Sequence, residues 1–135
     1  MPNWCFNSIK ITGPEEDLKK FKKIAETPRK MKEWVETKIN TFALLGVPEN
    51  DDVKNVPDWF FWGELEWSKD KKGNPFLVGS YDTRWDNKDG TLCSISAKFP
   101  TLSFINRYEE PNMCFKGSGR FKGGNMTKRT YSETN

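Results

Sequence analysis

Tyr81, Asp82, Thr83, Arg84 and Trp85 place a ring, a carboxylate, a hydroxyl and a guanidinium in consecutive positions. An arginine here can hold a phosphate in a bidentate fork while Tyr81 or Trp85 stacks on a base. Asp82 and Arg84 can equally pair with each other over a packed tryptophan. A second group opens the chain, where Asn3, Trp4, Phe6 and Asn7 lead straight into Ile9 and Ile11. Residues two apart on a strand share a face, so Trp4 and Phe6 together can make a stacking platform. The structural alternative is that Trp4 plugs one end of the core and the asparagines bond to backbone. Trp62 and Trp67 close a dense aromatic segment, Trp59 to Trp67, that suits stacking or docking on a protein. Arg120 follows Gly117-Ser118-Gly119, a sequence that can offer backbone amides to phosphate, although no helix follows as a P-loop requires.

Other pairings lead away from catalysis. The chain has no histidine, which removes Ser-His-Asp and Cys-His arrangements and ordinary imidazole acid–base chemistry. Cys5, Cys93 and Cys114 are odd in number and widely spaced, so neither a disulfide framework nor a zinc spacing is present. Glu109 and Glu110 are strand neighbours and point to opposite faces, which stops them sharing an acid–base site. The lysines at 19, 20, 22 and 23 could form a phosphate patch, but they also fit a solvated helix face. The candidate ligand-binding set is therefore Trp4, Asn7, Trp62, Trp67, Tyr81, Arg84, Trp85 and Arg120, with no catalytic residue, metal or cofactor.

The elements that position these residues follow from periodicity. Six Trp and ten Phe in 135 residues are too many for a disordered chain, so the core is built from rings. A strand is expected over Trp4 to Thr12, stopped by Gly13-Pro14. Pro14 and the acidic residues 15 to 17 then start a helix carrying Leu18, Phe21, Ile24 and Ala25 on one face, running to about Glu26. A short second helix is expected over 29–37, a short strand over 40–45 and a loop over 46–57. Residues 59–67 and 76–81 read as a hairpin. Leu92 to Phe99 read as a helix ending at Pro100, 102–108 as a strand and 113–122 as a last strand. The order predicts an α+β, ferredoxin-like split βαβ fold: an antiparallel sheet with helices on one face, an irregular insertion over 27–56 and an extra C-terminal strand. A single domain over 1–124 is expected, with 125–135 a frayed tail.

Four segments, MPNWCFN, PDWFFWGELEW, YDTRW and YEEPNMCFKGSGRFKGG, resemble blocks found in the same order in the YubB-type ferredoxin-like family of small phage and plasmid proteins. The likeness covers roughly 1–26 and 57–124. It departs at Glu64 and Glu66, where the family more often carries a basic residue, and at Asn112 and Cys114, where it often carries glycine. The resemblance implies the fold and a mobile-element setting, and passes on no catalytic residues.

The net charge of +3 lies partly in a mild basic end, Lys116, Arg120, Lys122, Lys128 and Arg129 against Glu133, too sparse for a duplex-DNA binder. No apolar run approaches a membrane span, and the opening residues lack a secretory pattern, so a cytoplasmic protein is expected. Together these features predict a non-enzymatic accessory binding protein that counters host defence, by sequestering a nucleotide-type ligand or blocking a host defence protein, with a homo-oligomer interface helping to enclose the ligand. The alternative is an RNA- or single-strand-binding module using the open sheet face, although no RNP-like sequence is present beyond a faint echo at Phe115 to Lys122.

Overall fold

The computed structural model describes residues 4–27, 39–46, 62–84, 89–112 and 114–133. Its elements, in order, are β1 (Trp4–Thr12), α1 (Glu15–Ala25), α2 (Thr41–Leu45), β2 (Trp62–Lys69), β3 (Pro75–Arg84), α3 (Asp89–Lys98), β4 (Ser103–Glu110), β5 (Phe115–Lys122) and β6 (Asn125–Glu133). The strands make one antiparallel sheet in the order β2-β3-β1-β4-β5-β6. The first four reproduce the split βαβ arrangement expected from the sequence, and two further strands extend the sheet beyond β4.

Alternation on β1 decides which face is which. Cys5, Asn7, Ile9 and Ile11 are buried, whereas Phe6, Ser8 and Lys10 are exposed. α1 supplies Leu18, Phe21 and Ala25 to the buried side, at the spacing that keeps them on one stripe of a helix. Phe21 sits edge-on to Phe99 at 4.9 Å and to Phe104 at 5.5 Å, with the centroid distances of favourable ring pairs. Leu92 and Ile95 of α3 and Leu65, Leu77 and Phe121 of the sheet complete this core.

One end of the buried side is polar. The Asn7 side-chain amide donates to the Cys5 carbonyl and to Thr83 Oγ1, each at 3.0 Å. Asn106 Nδ2 donates to Asn7 Oδ1 at 3.1 Å, and the Tyr81 hydroxyl donates to Asn106 Oδ1 at 2.7 Å. The chain of bonds spans β3, β1 and β4 beneath solvent, where a lost partner is costly. Asn106→Leu, which removes both the acceptor for Tyr81 and the donor to Asn7, is expected to destabilise by about 2–4 kcal/mol. A fall in the urea midpoint with an unchanged slope is the check.

Two elements differ from expectation. Residues 40–45 are not a strand: the Asn40 side chain accepts from the Ala43 amide at 3.0 Å and donates to the Thr27 carbonyl at 2.9 Å, capping α2 against the end of α1. Residues 125–133 are not a frayed tail but β6. The turn between β5 and β6 is Gly123-Gly124, both at positive φ, a conformation that suits glycine and closes a two-residue hairpin. The Gly124 amide donates to Ser96 Oγ at 3.0 Å, fastening the hairpin to α3. The helix expected over 29–37 and most of the expected 46–57 loop lie outside the described residues.

Candidate functional site

The helices cover one face of the sheet, and no described helix covers the other. Register places the open-face residues in rows. Phe6 on β1 lies beside Glu109 on β4, then Lys116 on β5, then Ser132 on β6. The next row is Ser8, Arg107, Ser118 and Thr130. A third is Lys10, Ile105, Arg120 and Thr127. The first two rows line a shallow concavity of about 560 Å³ that runs from β1 to β6.

That concavity presents a ring, cations and hydroxyls on one surface. Phe6 is 51% exposed, an unusual position for a phenylalanine in mid-sheet. Arg107, Lys116 and Arg120 are exposed, and among the described residues no ion pair holds any of them. The Ser118 and Thr130 hydroxyls lie 2.8 Å apart on the same surface. The opposite flank differs in sign, with Glu64 and Glu66 on β2 and Asp82 on β3 at open-face positions. The open face is therefore graded, acidic toward β2 and basic across β4 and β5.

Asp82 stands beside Phe6 in the register and is only partly exposed. Burial pushes its carboxyl above the ordinary carboxylate range. A carboxyl with a raised native pKa favours the folded state at low pH. That contribution is lost as pH rises from the ordinary range through the native pKa. Asp82→Asn should therefore melt higher than the parent at pH 7, and the difference should shrink on acidification. Thermal melts across this pH series make the comparison.

The residues singled out in the sequence are divided among several places. Asn7 and Tyr81 are 4% and 3% exposed and belong to the buried network, so neither presents a group to the open face. Trp67 shares the helix-side parity of Leu65 at the β2 edge and is 42% exposed there. The backbones of Trp4, Trp62 and Arg84 occupy open-face register positions near Asp82, at one end of the sheet. Trp85 lies outside the described residues. Arg120 is on the open face but at the level of Lys10. That is roughly 20 Å along the strands and three strands across from Arg84, so the two arginines do not share a site. Two of the four α1 lysines are paired locally: Lys19 lies 3.9 Å from Glu15 and 3.6 Å from Glu16, and Lys22 lies 2.7 Å from Glu26. Among the described residues no group of His, Cys, Asp or Glu is placed to hold a metal ion.

Arg107, Lys116 and Ser118 were absent from the sequence-derived set. A signal for Arg107 was present, because the alternation of Phe104, Asn106 and Tyr108 hands Ile105, Arg107 and Glu109 to the opposite face. On the helix side of the same strands Tyr108 is buried, with its ring edge-on to Phe115 at 6.0 Å. Phe115 in turn stacks on Tyr131 at 6.0 Å. The Tyr108 hydroxyl has no hydrogen-bond partner among the described residues. Burial, with Asp89 adding to it, pushes its pKa up.

A family model described as "Ferredoxin-like domain in Api92-like protein" matches residues 61–135. Among solved structures, the crystal structure of a protein api92 from Yersinia pseudotuberculosis is similar at 17% identity and a TM-score of 0.41. That match covers 53% of this chain and 24% of the other, so this chain spans about a quarter of that structure's length. No curated protein matches. No helix among the described residues is long and apolar enough to cross a membrane.

Proposed function

We propose, for a chain that belongs to the family of ferredoxin-like domains in Api92-like proteins, that it binds single-stranded nucleic acid across the open face of its sheet. The observation that carries this reading is Phe6, half exposed beside Arg107, Lys116 and Ser118 in one concavity. A ring on a sheet surface takes a base by stacking, worth about 1–3 kcal/mol per base, and does so with little sequence preference. Lys116 is two strands from Phe6, roughly 10 Å, close enough for one base on the ring and a nearby phosphate on the ammonium. Arg107 adds a planar fork one row along. Glu109, between Phe6 and Lys116, repels phosphate and accepts from a base amino group, which orients the strand.

The shape of the site favours a strand over a captured mononucleotide. A shallow surface leaves a small ligand mostly uncovered, and tight small-molecule sites enclose most of their ligand. The accessory, counter-defence role in a phage or plasmid setting, and the host cytoplasm as its location, remain part of this proposal through the YubB-type resemblance.

Photo-crosslinking of a 4-thiouridine oligonucleotide, followed by mass spectrometry of the peptides, tests the location. Adducts on the peptides carrying Phe6, Arg107 and Lys116 are expected. Adducts confined to α1 or α3 would place any binding on the wrong side of the sheet.

A further inference from the structure

β6 is an edge strand exposed on nearly every residue, and the unpaired backbone of such an edge invites another chain. Its first half is guarded. Lys128 has φ +49, and the register with β5 shifts between Ser118 and Arg120, the mark of a bulge. Its second half pairs regularly with β5 over residues 130–133, with Arg129 at the bulge just before it, and no described strand pairs with its outer edge. The Thr130 carbonyl oxygen is directed at β5, against the site where Gly117 would carry a Cβ. Alternation then turns the backbone N–H and C=O of Tyr131 and Glu133 toward the free edge.

We propose that this half-strand pairs antiparallel with the same half-strand of a second copy, about a two-fold axis at Tyr131. In that register the numbers of facing residues share one sum. Tyr131 faces Tyr131, Thr130 faces Ser132, and Arg129 faces Glu133, twice. The central pair that exchanges backbone hydrogen bonds is Tyr131 with Tyr131, whose groups point outward, while Arg129 and Glu133 contribute through their side chains. The charge pattern selects this register. Within one strand Arg129 and Glu133 are about 13 Å apart and cannot meet, whereas across the two-fold each finds its opposite. A two-fold centred on Arg129 instead would set Arg129 against itself. Tyr131, 52% exposed and already stacked on Phe115, meets its counterpart at the centre. Such an interface is isologous, so it closes at a dimer and does not propagate.

The pairing joins two six-stranded sheets into one and sets the two concavities edge to edge, each reaching β6 through Thr130 and Ser132. It stands on the edge itself and not on the nucleic-acid reading, because Arg129 and Glu133 do not line the concavity.

Sedimentation velocity over a wide range of protein concentrations tests it. The parent protein should dimerise reversibly. Arg129→Glu alone, and Glu133→Arg alone, should each weaken the dimer at least tenfold. An equimolar mixture of the two variants should restore it, because both acidic side chains of the first variant then face both basic side chains of the second. A parent that stays monomeric throughout overturns the proposal. So does a dimer that both single changes leave intact, or a mixture that fails to recover while each variant keeps the parent's melting temperature. Oligonucleotide affinity measured on the same variants at concentrations where all are monomeric should equal the parent's, which separates this proposal from the binding reading.

Discussion

Gly117→Ala is expected to destabilise the protein by about 2–3 kcal/mol, within the range for overfilling a packed site. A Cβ at this position would run into the Thr130 carbonyl oxygen and the Tyr108 hydroxyl, with the Tyr108 ring carbon 2.6 Å away. One obstacle is backbone in a paired strand and the other is a buried ring held edge-on by Phe115, so neither can yield cheaply. For a chain of this size each kcal/mol lowers the melting temperature by roughly 3–4 °C, giving a loss near 10 °C. Tyr108→Phe separates the two obstacles. It removes a buried hydroxyl that has no partner among the described residues, so on its own it should be neutral or stabilise by about 1 kcal/mol. The double change Gly117→Ala with Tyr108→Phe should recover only part of the loss, because the Thr130 carbonyl remains. Calorimetric melts of the three variants decide it. Full stability in Gly117→Ala would mean that β5 and β6 are not packed as described.

Phe6→Ala is expected to lower affinity for single-stranded oligonucleotides by about 1–3 kcal/mol, or roughly 5- to 150-fold, through loss of a stacked base. The same change should hardly affect folding. Phe6 is half exposed on a face that no described helix covers, so its removal leaves no cavity in the core. Lys116→Glu should weaken binding differently, by removing a phosphate contact and adding to the acidic row with Glu109. Its loss should diminish as salt rises, whereas the loss from Phe6→Ala should persist. Anisotropy titrations at two ionic strengths distinguish them. Equal losses for both variants at every salt concentration would argue against separate stacking and phosphate roles.

The alternation of β1 was plain in the sequence, because Ile9 and Ile11 fix one face as apolar and the residues between them are polar. The same parity carries Phe6 to the open face, so the exposure of its ring was legible, although the candidate set did not include it. Tyr81 was misjudged for want of that argument: Leu77, Gly79, Tyr81 and Thr83 alternate together, and Leu77 is core. Tyr81 then reaches Asn106, a partner on a strand not adjacent to its own, which no local pattern reveals. β6 has polar residues on both faces, so it carries no apolar period to read. The Gly123-Gly124 pair was its one signal, a two-residue turn with sequence on either side long enough to pair. Arg107 and Lys116 required knowing that β4 and β5 are neighbours, because their shared row with Phe6 exists only in the register.

The family match accounts for the second half of the chain, β2 through β6, including the two strands that extend the sheet. β1 and α1 precede the matched region, yet β1 sits at the sheet's centre between β3 and β4. The buried network makes the same point in energy. Asn7 comes from the unmatched part, and its bonds to Thr83 and Asn106 tie it to the matched part. The open-face concavity likewise takes Phe6 from one and its cations from the other.

The salt dependence of binding to a labelled single-stranded oligonucleotide tests the central claim most directly. With Arg107, Lys116 and Arg120 each meeting a phosphate, log affinity against log salt should fall with a slope of about −2. In Arg107→Glu with Lys116→Glu the slope should drop below about −1 in magnitude. Absence of measurable binding to the oligonucleotide at low salt, or a slope that the double variant leaves unchanged, would contradict the assignment of the open face as the nucleic-acid surface.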